Sequence, residues 1–122
     1  MAKDMQISFL LDFYGEMLTE KQQDMIHFYY NDDLSLAEIA ENEGITRQGV
    51  RDNIKRAEAL LLDMEARLGL AKRFRTVKDG LEQIMDNAKE ISAFNMVHGF
   101  SREIDEHARR INAIALTLSE DE

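Results

Sequence analysis

Along most of the chain, apolar residues return at intervals of three and four. At 3.6 residues per turn those positions share one face, so the spacing predicts an all-α protein. With no proline in the sequence, glycines and capping residues supply the punctuation. A first helix is expected from about Asp4 to Tyr14, with Ile7, Leu10, Leu11 and Tyr14 on one side and Gly15 at its end. Thr19-Glu20-Lys21-Gln22 has the form of a capping box, in which the threonine oxygen takes the third helical amide and the glutamine reaches back. It opens a second helix through Met25, Ile26, Phe28 and Tyr29 that closes before Asn31-Asp32-Asp33, with Tyr29 in the core and Tyr30 half exposed. Ser35-Leu36-Ala37-Glu38 is a second capping box and starts a short helix bounded by Gly44. Thr46 then caps a long fourth helix whose stripe is Val50, Ile54, Ala57, Leu61, Met64 and Leu68, with Gly69 as the stop.

After Gly69 the pattern changes to two amphipathic helices. The first carries Phe74, Val77, Leu81, Ile84, Ile91 and Phe94, and the second Ile104, Ala108, Ile111, Ala115 and Leu118. His98-Gly99-Phe100-Ser101 turns between them, with Ser101 as cap. Faces of that length need a partner, and each other or a second copy of the chain would serve. The expected organisation is a domain over residues 1–69 and a C-terminal helical extension over residues 70–122, a candidate dimerisation element.

The third and fourth helices have the form of a helix-turn-helix. That motif needs a small residue where the second helix crosses the first, a permissive turn and a branched aliphatic plug after it. Ile39-Ala40, Gly44 and Ile45 stand in those places. With Val50, Ile54 and Ala57 inward, the start of the second helix turns Arg47, Gln48, Arg51, Asp52 and Lys55 outward. Arginine and glutamine in a first helical turn suit base edges or phosphates, and the positive end of the helix dipole favours anions there. Gly49 costs that helix about 1 kcal/mol against alanine.

A net charge of −9 argues against a protein that coats nucleic acid indiscriminately. The charge is segregated, however: from Thr46 to Lys78 nine basic residues face four acidic ones, a surplus of five, which leaves fourteen net negative charges elsewhere. The candidate nucleic-acid-binding residues are therefore Thr46, Arg47, Gln48, Arg51, Lys55 and Arg56 on the fourth helix, with Lys72, Arg73 and Arg75 beyond it. Phe74 beside them is either a stacking platform or part of the stripe with Val77 and Leu81. Asp52 on the outward face, and Asp32, Asp33, Glu41 and Glu43 near the motif, oppose phosphate binding. A fold of this kind also serves protein contact alone.

Without cysteine there is no disulfide, thiol nucleophile or cysteine-ligated metal site. Glu103 and His107 stand one helical turn apart, a spacing that arises readily by chance, and no metal site or cofactor is expected. No nucleophile elbow, phosphate-binding glycine loop or HExxH string is present, so no enzymatic chemistry is expected. The longest aliphatic run, Leu60-Leu61-Leu62, is far too short to span a bilayer, and Met1 to Gln6 hold no apolar signal-like stretch, so a cytoplasmic location is expected.

Ala37-Glu38-Ile39-Ala40, Ile45-Thr46-Arg47-Gln48 and Val50 through Glu58 together resemble the fourth conserved region of bacterial sigma factors. With Leu11-Asp12-Phe13-Tyr14, Leu18-Thr19-Glu20-Lys21-Gln22 and Tyr29-Tyr30 ahead of them, the resemblance is closer to the YlxM-type family, over about residues 7–68. Ala71 to Glu122 matches no element of that pattern. The resemblance implies a sigma region 4-like, winged-helix-type domain of three or four helices without the wing. It also implies a regulatory or accessory binding protein of the signal recognition particle pathway, whose members are typically encoded beside the particle's GTPase genes. The partners implied are DNA or signal recognition particle RNA and those GTPases. A dimeric DNA-binding transcription regulator is the alternative.

Overall fold

The computed structural model describes residues 1–120. Six α-helices follow one another: α1 Met5–Tyr14, α2 Glu20–Tyr30, α3 Leu36–Glu43, α4 Arg47–Leu68, α5 Leu70–Val97 and α6 Arg102–Glu120. No strand occurs among the described residues. The chain divides into two compact units, one over Met1–Ala71 and one beginning at Lys72.

Local chemistry sets the ends of the helices. The Thr19 and Ser35 capping boxes both form, with each side-chain oxygen on the third helical amide and Gln22 and Glu38 reaching back. Asp4 caps α1 through Gln6 N–H and Thr46 caps α4 through Gly49 N–H. Gly44 (φ 67°) and Gly69 (φ 63°) end α3 and α4 in the left-handed region that an L side chain resists. Gly15 differs: it keeps a right-handed φ of −55° and leads into one 3₁₀ turn, Gly15–Met17.

In the first unit α1, α2 and α3 all pack on α4. One half of its buried stripe, Val50 and Ile54, meets Met25, Tyr29, Ile39 and Ala40. The other half, Ala57 and Leu61, meets Ile7, Leu10, Leu11, Tyr14, Leu18 and Ile26. The stripe fades beyond that: Met64 is partly buried and Leu68 is exposed. Tyr29 is buried and Tyr30 half-buried, as expected. Tyr29 Oη donates to Met1 O (2.8 Å) and Tyr30 Oη to Glu58 Oε2 (3.1 Å), while Lys3 pairs with Asp33, so the N-terminal residues are fastened across α2.

The start of α5 has no capping side chain of its own. Its orphan amides are met from a distance: Leu70 N–H donates to Tyr14 Oη (3.1 Å), and Ala71 N–H to Glu65 Oε1 (3.1 Å). Tyr14 Oη in turn donates to Glu65 Oε1 (2.7 Å). Burial, reinforced by the hydrogen bond to Glu65, raises the Tyr14 pKa above that of an ordinary phenol. Burial likewise pushes Tyr30 up to about 12, with Glu58 adding to the effect.

In the second unit α5 and α6 form a hairpin. Its turn is held by Asn95, buried among exposed neighbours, whose Nδ2 donates to Ser101 O (2.8 Å) while its Oδ1 accepts from Ser101 N–H (2.9 Å). Gly99 (φ 78°) makes the reversal and Ser101 caps α6 through Ile104 N–H (3.3 Å). The buried apolar residues here are alanines, Ala88, Ala108 and Ala115, with Ser119 beside them. Phe74 is half-buried, with Lys78 Nζ 5.8 Å from its ring centre. The larger residues of the expected stripes, Val77, Ile84, Ile91, Phe94, Ile104, Ile111 and Leu118, remain exposed.

Candidate nucleic-acid interface

The helix-turn-helix is made by α3, the turn Gly44-Ile45-Thr46 and α4. Ile39 and Ala40 are buried where α3 meets α4, and Gly44 N–H and Ile45 N–H both return to Ala40 O. One expectation fails here. Ile45 does not plug the core: it is 40% exposed and its Cδ1 lies over the start of α4, near Gly49. Ile39, Val50 and Ile54 already fill that core, and the turn directs Ile45 outward.

Burial of Val50 and Ile54 at 0% exposure orients the rest of the helix. Arg47, Gln48, Arg51, Asp52, Lys55 and Arg56 are all exposed. They form two neighbouring rows at four-residue spacing, Arg47-Arg51-Lys55 and Gln48-Asp52-Arg56. Arg47, Gln48 and Arg51 come together with Leu36 around a shallow depression between α3 and α4. The motif did not single out Leu36, although its place as first residue of α3 marked it as close to the turn.

Among the described residues, no side-chain hydrogen bond or ion pair engages Arg47, Arg51, Lys55 or Arg56. Gln48 Nε2 donates to Asp52 Oδ1 (2.9 Å), so the one acid on this face is held by its own row. Two nearby acids are also engaged, Glu43 by Lys21 (3.2 Å) and Asp33 by Lys3. The lysine bond holds the Asp33 carboxyl below its ordinary range. Thr46 Oγ1 is spent as an acceptor from Gly49 N–H (3.0 Å). The same contact accounts for the glycine: a Cβ at position 49 would meet that oxygen at 3.1 Å. Lys72, Arg73 and Arg75 lie in the second unit, on α5. Glu103 and His107 share α6, and no group of three or more potential metal ligands occurs among the described residues. No described helix is long and apolar enough to cross a membrane.

A family model described as "Putative helix-turn-helix protein, YlxM / p13 like" matches residues 1–97, from before α1 to the end of α5. The chain belongs to the YlxM/p13-like helix-turn-helix family. The match runs beyond the residues 7–68 that carry the resemblance in the sequence, so α5 is part of the family pattern although its motifs did not declare it. Curated relatives agree. A UPF0122 protein of Acetivibrio thermocellus is 45% identical over 96 residues, 79% of this chain and 82% of that protein. One of Symbiobacterium thermophilum is 47% identical over 91 residues, 70% and 84% of the two chains. One of Thermoanaerobacter sp. strain X514 is 39% identical over 107 residues, 82% and 92%.

Proposed function

We propose that this chain is a regulatory nucleic-acid-binding protein without enzymatic activity of its own, and that it acts in the bacterial cytoplasm as an accessory of the signal recognition particle pathway. The observation that carries the binding is the exposed, unpaired row Arg47-Arg51-Lys55 at the start of α4, on a chain that is otherwise strongly acidic. Three cations at one-turn spacing follow a phosphate backbone, while Gln48 and Arg51 beside the α3–α4 depression have the donors to meet base edges. Arg56 adds to the phosphate-facing charge of α4, and in the second unit Lys72, Arg73 and Arg75 are further candidate phosphate contacts. The pathway rests on the family resemblance: the particle's RNA, its GTPases or their complex are the partners it implies.

Fluorescence anisotropy of labelled signal recognition particle RNA and of a random DNA duplex, titrated with the protein at low and near-physiological salt, tests this reading. The expected result is preference for the RNA or its GTPase complex. Arg47→Ala with Arg51→Ala should weaken binding about tenfold or more and flatten the salt dependence by about two phosphate contacts. Equal, salt-labile binding to both nucleic acids, unchanged in the double variant, would refute it. Selective binding of one duplex sequence would instead support the transcription regulator.

A further inference from the structure

The α5–α6 hairpin is half of a structure. Its facing sides bury small or polar residues, Ala88, Asn95, Ala108, Ala115 and Ser119, with Phe74, Leu81 and Met85 partly buried, while a second set of large apolar side chains stays exposed. Val77, Ile84 and Ile91 on α5 and Ile104, Ile111 and Leu118 on α6 each recur at seven-residue spacing. In an antiparallel hairpin both rows fall on the same side. Ile91, Phe94 and Ile104 line one cavity, which joins the rows near the turn. Two helices whose fully buried contacts are alanines, one asparagine and one serine bury little apolar surface between them, and need a second layer.

We propose that the second layer is the same face of another copy, so that two hairpins close into an antiparallel four-helix bundle. Three observations select a second copy. Seven-residue repeats on both helices suit the shallow crossing of a bundle, where identical faces interdigitate about a two-fold axis. The face has the necessary size: Val77, Ile84, Ile91, Phe94, Ile104, Ile111, Ile114 and Leu118 are each 43–63% exposed. Together they present roughly 700 Å² per copy, beyond the ordinary patch on a monomer and close to what each partner buries in a stable interface. Charge supplies the orientation. The first turns of α5 hold Lys72, Arg73, Arg75 and Lys78, and the rest of that helix holds Asp79, Glu82, Asp86 and Glu90 against Lys89. With the two α5 helices antiparallel, the basic start of each lies beside the acidic part of the other. A parallel pair would set like charges together.

Light scattering on the full chain across a wide concentration range should give twice the 14.1 kDa chain mass. Ile84→Glu with Ile111→Glu should give a monomer that circular dichroism still finds helical. Leu116→Glu, at an exposed apolar residue outside the two rows, should leave the dimer intact. Should the double variant unfold, cross-linking decides, because the chain has no cysteine of its own. Gly80, where a Cβ meets nothing within 4 Å, and exposed His98, whose ring stacks only on Phe94 of the preceding turn, are the sites for single cysteines. In that antiparallel register Gly80 lies near the two-fold axis and His98 far from it, so Gly80→Cys chains should cross-link to one another while His98→Cys chains should not. A monomeric mass at every concentration, or equal disruption by Leu116→Glu, overturns the proposal. Preferential self-pairing of His98→Cys overturns the antiparallel orientation.

Discussion

Gly49 stands where α4 needs its firmest start, and by propensity alone replacing it with alanine should stabilise the helix by about 1 kcal/mol. The Thr46 hydroxyl opposes that gain. It accepts from Gly49 N–H at 3.0 Å, and an alanine Cβ would sit 3.1 Å from it. Moving the hydroxyl weakens a cap worth about 1 kcal/mol. The two effects are of equal size, so Gly49→Ala should leave the denaturation midpoint almost unchanged. Thr46→Ala should lower stability by about 1 kcal/mol, and the pair of substitutions should be less destabilising than Thr46→Ala alone, since no hydroxyl then stands in the way. Chemical denaturation of the three variants checks this. A gain of a full 1 kcal/mol from Gly49→Ala alone would show that the hydroxyl yields freely.

At the scale of the elements, the hairpin turn is held by one side chain. Asn95 is buried and makes both halves of a reciprocal bond with Ser101. Removing it leaves a backbone N–H without its partner, so Asn95→Ala should cost about 1–3 kcal/mol. Asn87→Ala, which loses only an exposed bond to Gln83 O one turn back on the same helix, should lie within a few tenths. Equal effects in urea titrations would contradict that assignment. The elements themselves were legible where their signals are local. Capping boxes at Thr19 and Ser35, and glycines at 44 and 69, mark helix ends through atoms three or four residues away. The start of α5 was not legible in that way, because its cap comes from Tyr14, 56 residues upstream of Leu70. Periodicity left open what covers the apolar faces of the hairpin. Ile84, Ile91 and Ile111 have the spacing of a core, yet Ala88 and Ala108 fill the seam, since apolar spacing tells which residues share a side and not what covers it. For the candidate site, the outward positions of Arg47, Gln48 and Arg51 followed from the buried stripe. The exposed Ile45 did not, because it depends on how completely Ile39, Val50 and Ile54 occupy the space behind the turn.

For the whole molecule, the first unit is tied together by two phenols that must stay protonated. Tyr14 joins α1 to Glu65 on α4 and to the first amide of α5, and Tyr30 joins α2 to Glu58 on α4 and accepts from Asp4 N–H. Both have their pKa raised by burial, with a neighbouring carboxylate adding to it, and Tyr30 reaches about 12. In the unfolded chain each titrates near 10. Above that pH the unfolded state therefore binds fewer protons than the folded one, and stability falls as pH rises. The contribution is complete below pH 10 and is lost progressively toward 12, where Tyr30 ionises in place. The tyrosine part is read by difference, against a variant that lacks both phenols. At a fixed chain concentration, urea midpoints should hold steady from pH 7 to about 9.5 and then drop. Tyr14→Phe with Tyr30→Phe should start lower, because Leu70 N–H and Asp4 N–H lose acceptors, and should decline less steeply above pH 10. The steep alkaline loss belongs to these two ties only if the phenylalanine variant lacks it, and parallel curves would refute that assignment.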